Sequence, residues 1–215
     1  STHPGGQDLR DEIYPWPQRD HCEIDQNLAN ELYEANPDDV SSEAQGLWAA
    51  EYLLFPTMGD NACEADDEVN TSGAWDALDE ATLTDRRANY TALIANTVAE
   101  KAASLLYAWV PAGDDFLAQL TEAGDGSRTY GNQRVAINAV SDAFGYVEWG
   151  IKENKLSRPL GIPGCDQSDC TDYLEARFSR RSKEHLRNNM LGFRKLFKGC
   201  GPENEGLGFD DYLYA

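Results

Sequence analysis

Apolar residues recur three and four positions apart along most of this chain, and nowhere do they alternate with period two for long enough to make a strand. Ile24, Leu28 and Leu32 open the pattern from Asp20, with a stop expected at Asn36 before Pro37. Ser42 and Gln45 have the spacing of a capping box ahead of GLWAAEYLLF, which Pro56 ends. The longest helix is expected from Thr84 to Pro111, with Tyr90, Leu93, Ile94, Thr97, Val98, Leu105, Leu106 and Trp109 on one broad face. A short helix carries Phe116, Leu117 and Leu120, and another runs from about Asn132 to Asn154. Ser182 opens a further helix bearing Leu186, Met190, Phe193 and Phe197, with Gly199 at its stop. The expected fold is therefore all-α, an up-and-down helical bundle. Residues 1–19, with Pro4, Pro15 and Pro17, read as an extended N-terminal arm ahead of a helical domain over 20–215. If that domain subdivides, the loop at 110–130 is the place.

Charge removes whole classes of function. With 18 basic against 38 acidic residues, the chain carries a formal −20. A nucleic-acid binder needs a basic stripe to displace counterions from phosphate, and an anionic membrane surface would repel such a chain. No run of about 18 apolar residues exists, so no transmembrane helix is expected. The start, STHPGG, reads as a processed or trimmed product. The acidic loop at 57–80 holds Asp60, Asp66, Asp67 and Glu68, but its spacing misses the calcium loop of the EF-hand and reads as solvated.

Five cysteines stand at 22, 63, 165, 170 and 200. Cys165 and Cys170 bracket CDQSDC in a turn-rich loop where a short bridge closes easily, so that pair is the expected disulfide. Tight repeated thiol or imidazole spacing, as zinc sites need, is absent, and His3, His21 and His185 are scattered. Disulfides in turn imply an oxidising compartment. The odd count leaves one thiol free or paired outside this chain.

Within GLWAAEYLLF, Glu51 is a carboxylate in an apolar run, costly to bury unless paired, hydrogen-bonded or bound to a cation. Trp48, one turn back, shares its face. Together with WPQRDHCEIDQNL, KLSRPLG and SRRSKEHLRNNMLGFRKLFKG followed by GLGFDDYL, this stretch resembles the imelysin-like family from about Trp16 to Leu213. That resemblance implies a helical protein of the bacterial periplasm, outer-membrane surface or secreted fraction, often lipid-anchored and associated with iron uptake. Family members are usually longer at both ends. Their signature is Gly-x-His-x-x-Glu; here Gly46 and Glu51 match, and Trp48 stands where the histidine would be. Indole offers an N–H donor but no lone pair for a metal, whereas imidazole suits zinc or iron.

Three readings of Glu51 follow. It belongs to a degenerate metal site completed by Asp25, Asp142, Glu148 or another acid; it is a buried structural carboxylate held by Arg86, Arg87, Arg158 or Arg180; or it emerges at a helix edge. The resemblance makes Asp25 a second candidate ligand, the alternative being an exposed acid. Arg158, preceding a proline, is expected in extended backbone, anchoring a carboxylate or pointing into solvent. Trp48 reads as core packing or as a ligand contact. Iron or zinc is the candidate cofactor, calcium a weaker one. The family's namesake is classed as a peptidase, but HExxH and GxSxG are both missing, so catalysis is not expected. The leading reading is a non-catalytic extracytoplasmic protein binding a metal, a metal complex or a protein partner. Its rivals are a metal-dependent peptidase and a structural component of the cell surface, and an oligomer fits either binding reading.

Overall fold

The computed structural model describes residues 9–35, 40–55, 61–124, 127–162, 170–201, 203 and 206–211. It is an all-α helical bundle with no strand among the described residues. The chain divides into two compact units, the first ending at Leu117 and the second beginning at Ala118.

The first unit is built from short helices packed on one long one. Residues 9–19, expected as an extended arm, begin instead with α1 (Leu9–Ile13) and then bury Pro15 and Trp16. The indole carries more apolar area than the surrounding prolines suggested, and that area goes inside. The Trp16–Pro17 peptide bond is cis. α2 (His21–Asn30) starts at Asp20, whose carboxylate accepts the Glu23 N–H at 2.9 Å. It ends at Glu31, which adopts a left-handed conformation. That break rotates α3 (Leu32–Ala35) away from the α2 stripe. Leu32, expected in the core, is 48% exposed, and Tyr33 takes its place.

No capping box forms at Ser42 and Gln45. Ser42–Ala44 is a 3-10 turn, and the Gln45 amide donates to the Val40 carbonyl instead. α4 (Gly46–Leu54) then opens on a glycine at φ +74°. A Cβ at Gly46 would lie 2.8 Å from the Ile13 carbonyl oxygen and from Pro15, so no other residue fits without displacing backbone. Beyond the short helix α5 (Glu68–Thr71), α6 (Glu80–Trp109) is capped by Asp79 rather than Thr84, whose hydroxyl lies inside the helix and donates to the Glu80 carbonyl. Of the broad face expected on α6, Tyr90 and Ile94 are buried, while Leu105, Leu106 and Trp109 are exposed. A helix of this length runs about 45 Å, farther than the short helices packed on it can cover.

Polar ties fix that packing. The Asn27 amide donates to the Tyr90 hydroxyl (3.2 Å), which donates in turn to the Ala44 carbonyl (2.8 Å). Tyr33 stacks on Tyr90 with centroids 4.6 Å apart. Arg86 donates to the Leu28 and Ala29 carbonyls near the end of α2 and pairs with Glu31 at 3.2 Å, placing a cation where the helix dipole is negative.

In the second unit, which α7 (Phe116–Thr121) leads into, the single helix expected over Asn132–Asn154 is two elements. α8 (Gln133–Ala143), capped by Asn132, gives way after a turn to a π-helix at Val147–Ser157. Gly150 makes that wide turn possible, because a Cβ there would meet the Tyr146 ring at 2.3 Å. The π-helix runs directly into the 3-10 turn Arg158–Leu160. Arg158 is therefore helical (φ −60°, ψ −49°) rather than extended, its conformation set by the helix it finishes, and its side chain is exposed. α9 (Ser182–Lys198) follows, with Phe193 and Phe197 set edge-on against Phe144.

One ion pair is buried here. The Lys155 ammonium lies 2.6 Å from Glu175 and 2.5 Å from the Asn189 side-chain oxygen Oδ1, and both charged side chains are about 5% exposed or less. Lys155→Ala leaves the Glu175 carboxylate in the interior without that ammonium and is expected to cost about 3–5 kcal/mol, whereas the double change Lys155→Met, Glu175→Leu should be close to neutral. Urea unfolding of the two variants checks this.

Candidate functional site

Asp25 is the centre of the site. It sits on α2 one turn past His21, at the i+4 spacing that puts both on one face. It is fully buried. Its Oδ2 accepts the Tyr52 hydroxyl at 2.7 Å and the Ala62 N–H at 2.8 Å. Tyr52 is the residue after Glu51, and Trp48 is one turn before it. All three lie on α4, and Trp48 and Tyr52 share its buried side. The His21 ring closes over both, with centroids 4.5 Å from Trp48 and 4.6 Å from Tyr52.

The residue after Ala62 is also tied to α2 covalently. Cys63 is disulfide-bonded to Cys22, across 41 residues of sequence. One strap thus joins residues 21–25 to residues 62–63. Cys170 is also disulfide-bonded, while Cys165, its expected partner, lies outside the described residues. Cys200 is a free, exposed thiol.

The structure settles where each predicted residue stands. Trp48 is 2% exposed and packs as core against His21. Asp25 is buried rather than a surface acid. Glu51 is half-buried at the edge of α4, bordered by exposed Leu47, Leu54 and Phe55. Arg86 serves Glu31 and the end of α2. Arg158, Asp142 and Glu148 belong to the second unit. Among the described residues, one group of three potential metal donors lies within ligating distance of one another, and it is Cys22, Cys63 and Asp67. Asp25, Glu51 and His21 do not form such a group there.

Sequence reasoning missed His21, Tyr52 and the Cys22–Cys63 bond. The signal was present for the first two: His21 is four residues before Asp25, and Tyr52 is four after Trp48. The bond joins segments whose proximity depends on the loop after α4, which no local pattern encodes.

Burial pushes the Tyr52 hydroxyl far above the ordinary tyrosine range, and the Asp25 charge and hydrogen bond add to this against an opposing pull from Arg87. Burial likewise raises Tyr90, and it raises Tyr33, helped by Glu34 and Glu31, to about 12. Tyrosine in the unfolded chain ionises near pH 10. A raised folded value means the native state keeps protons that the unfolded state releases above that pH. The stability these groups contribute is therefore whole below about pH 10 and is lost as pH climbs past it, with the Tyr33 share gone by about pH 12. Urea midpoints measured through that range should fall, and Tyr33→Phe should flatten part of the fall. At neutral pH, Tyr52→Phe removes a hydrogen bond to a buried carboxylate and should cost roughly 1.5–3 kcal/mol in the same assay.

The family model for Imelysin, Peptidase_M75, matches residues 9–215. No curated protein and no solved structure matches the chain. The match spans nearly the whole sequence, and the chain belongs to the imelysin family.

Proposed function

We propose that this imelysin-family chain is a non-catalytic extracytoplasmic binding protein. Its ligand is a metal complex or a cationic, partly apolar segment of a protein partner, rather than a bare metal ion. Imelysin-family proteins are generally extracytoplasmic, and no described helix is long and apolar enough to cross a membrane. The link to iron acquisition rests on the family alone.

One observation carries the reading. Asp25, the acid best placed to hold an ion, has its Oδ2 occupied by the Tyr52 hydroxyl and the Ala62 N–H. A bare zinc ion wants three or four converging protein donors. Position 48 supplies an indole with no lone pair, and the described donors of α2 and α4 do not converge. On the more exposed side of α4, Leu47, Leu54 and Phe55 border the half-buried Glu51. A charge with an apolar border suits a ligand that brings its own framework, such as a chelated metal or a peptide with a basic side chain.

Equilibrium dialysis of the oxidised protein against zinc and ferrous ions, followed by elemental analysis, should find far less than one ion per chain. Tris(phenanthroline)cobalt(III), a cationic chelate with an apolar rim used as the probe metal complex, should quench tryptophan fluorescence saturably. Loss of the Glu51 charge in Glu51→Gln should weaken that binding about tenfold, equivalent to about 1.4 kcal/mol. Stoichiometric bare ion in the oxidised protein, or chelator-sensitive hydrolysis of unfolded casein, overturns the reading.

A further inference from the structure

We infer that Cys22, Cys63 and Asp67 form a redox-gated metal site, closed as a disulfide when oxidised and open to a thiophilic divalent ion of the zinc class when reduced. The site is separate from the outer face of α4, and it does not depend on what binds there.

The donors are already gathered. Ligating atoms of all three residues lie within 4.8 Å of one another. The Cys22 sulfur stands 3.7 Å from Asp67 Oδ2. Around a tetrahedral zinc, with Zn–S near 2.3 Å and Zn–O near 2.0 Å, two thiolates stand roughly 3.8 Å apart and a thiolate and a carboxylate oxygen roughly 3.5 Å. The sulfur-to-carboxylate spacing thus fits as it stands, and the two sulfurs reach theirs once the bond between them is cut.

The frame that presents these donors does not consist of the disulfide alone. Asp67 is fixed twice over, its Oδ1 accepting the Val69 N–H at the start of α5 and its Oδ2 accepting the Gln26 amide at 2.9 Å. Gln26 lies one turn after Cys22 on α2, so that helix supplies both a ligand and the group that orients the carboxylate, the arrangement by which outer hydrogen bonds tune metal ligands. Cys63 donates its N–H to the Asn61 side chain at 2.9 Å. Asn61 is paired with Asn70, whose amide also donates to the Glu64 carbonyl at 2.9 Å. These bonds hold the loop's own shape, and the Ala62–Asp25 and Gln26–Asp67 hydrogen bonds tie it to α2 independently of the disulfide.

Access and charge agree. All three residues are half-buried rather than sealed, and a cleft of about 410 Å³ lined by Gln26, Asn30, Asp67 and Glu68 opens beside them. Cys22 is the second residue of α2, so its sulfur stands at the end of that helix nearest the acidic loop. Exposed Glu64, Asp66 and Glu68 surround the site and raise the local concentration of cations. Three protein ligands leave a fourth position for water or an incoming donor.

The chemistry balances with a dithiol reductant as the second reactant. One of its thiolates attacks a sulfur of the Cys22–Cys63 bond to form a mixed disulfide. Its second thiol then closes its own disulfide and releases both cysteines as thiols. The ion displaces two protons as it takes up two thiolates and the Asp67 carboxylate. In the reverse exchange a disulfide oxidant accepts the two electrons and is reduced to its dithiol, the Cys22–Cys63 bond re-forms and the ion is expelled.

Cobalt(II) titration of the phosphine-reduced and the oxidised protein tests this. The reduced form is expected to bind stoichiometric cobalt with thiolate-to-metal charge-transfer absorption, the oxidised form none, and reoxidation should release the ion. Cys63→Ser should abolish the thiolate band. Asp67→Asn, which leaves both cysteines in place, should weaken binding at least about tenfold. The inference fails if the reduced protein takes up no cobalt, if the oxidised protein binds equally, or if the band survives undiminished in Cys63→Ser. Should Cys63→Ser not fold, Asp67→Asn decides: unchanged affinity there overturns the site. Ion bound equally by the oxidised form would count also against the reading of the α4 face, whereas loss confined to the reduced form leaves that reading intact.

Discussion

The first unit is organised by one carboxyl group. Asp25 has no solvent exposure, and a polar group buried that way is tolerable only when its hydrogen bonds are made. Tyr52 from α4 and Ala62 from the loop beyond it supply two of them. The bond from Tyr52 fixes the rotation of α4 about its own axis. Once Tyr52 points inward, Trp48, four residues earlier, must do so too, and Glu51 falls at the edge. Gly46 is the other half of the constraint, since only a residue without a Cβ lets α4 begin so close to Ile13 and Pro15. Two features far apart in kind, a buried hydrogen bond and a missing methyl, therefore decide which face of GLWAAEYLLF meets water.

The covalent and polar ties of this unit reinforce one another. Cys22 follows His21, and Cys63 follows Ala62, so the disulfide lies one residue from the imidazole that covers Trp48 and one from the amide that serves Asp25. In the chain-entropy account, closing a loop across 41 residues disfavours the unfolded state by roughly 4 kcal/mol. Within the folded unit the disulfide adds a covalent tie beside the Ala62–Asp25 and Gln26–Asp67 hydrogen bonds. Other acids of the unit also serve as hydrogen-bond acceptors. Asp20, Asp67 and Asp79 cap helices, and Glu23 accepts both the N–H and the hydroxyl of Ser41. A formal charge of −20 thus overstates how much of the acidity is simply solvated surface.

Helical class was legible in the sequence because a 3.6-residue period needs no partner to be seen. Ile24, Leu28, Tyr90 and Ile94 were placed correctly on that ground alone. Breaks were harder. Glu31 enters a left-handed conformation with no glycine to announce it, and Phe144–Tyr146 turns α8 into a π-helix without a proline. Periodicity also overstates burial: Leu105, Leu106 and Trp109 keep the helical step yet are exposed. At the site, the acid on α2 and the acid on α4 were both singled out, each with an inward and an outward reading left open. Asp25 sits beside a charged and polar stretch and is sealed; Glu51 sits in an apolar run and is half-open. Side-chain burial is set by which neighbour is across the gap, and that information is non-local.

Position 48 in Gly46-Leu47-Trp48-Ala49-Ala50-Glu51 is an indole buried in the core of the first unit. An imidazole is still present, from His21, and it lies against Trp48 and Tyr52. It comes from α2, however, and its contacts there are made to ring faces. A ligand histidine needs a nitrogen lone pair directed at the cation and a second donor converging on the same point. With the indole filling position 48 and the Asp25 oxygen already taken by a tyrosine hydroxyl and a backbone amide, the space between α2 and α4 is closed by packing. At the outer edge of α4 the half-buried Glu51 stands among exposed leucine and phenylalanine side chains, and it is on that edge, under the proposed function, that a preformed ligand would be received.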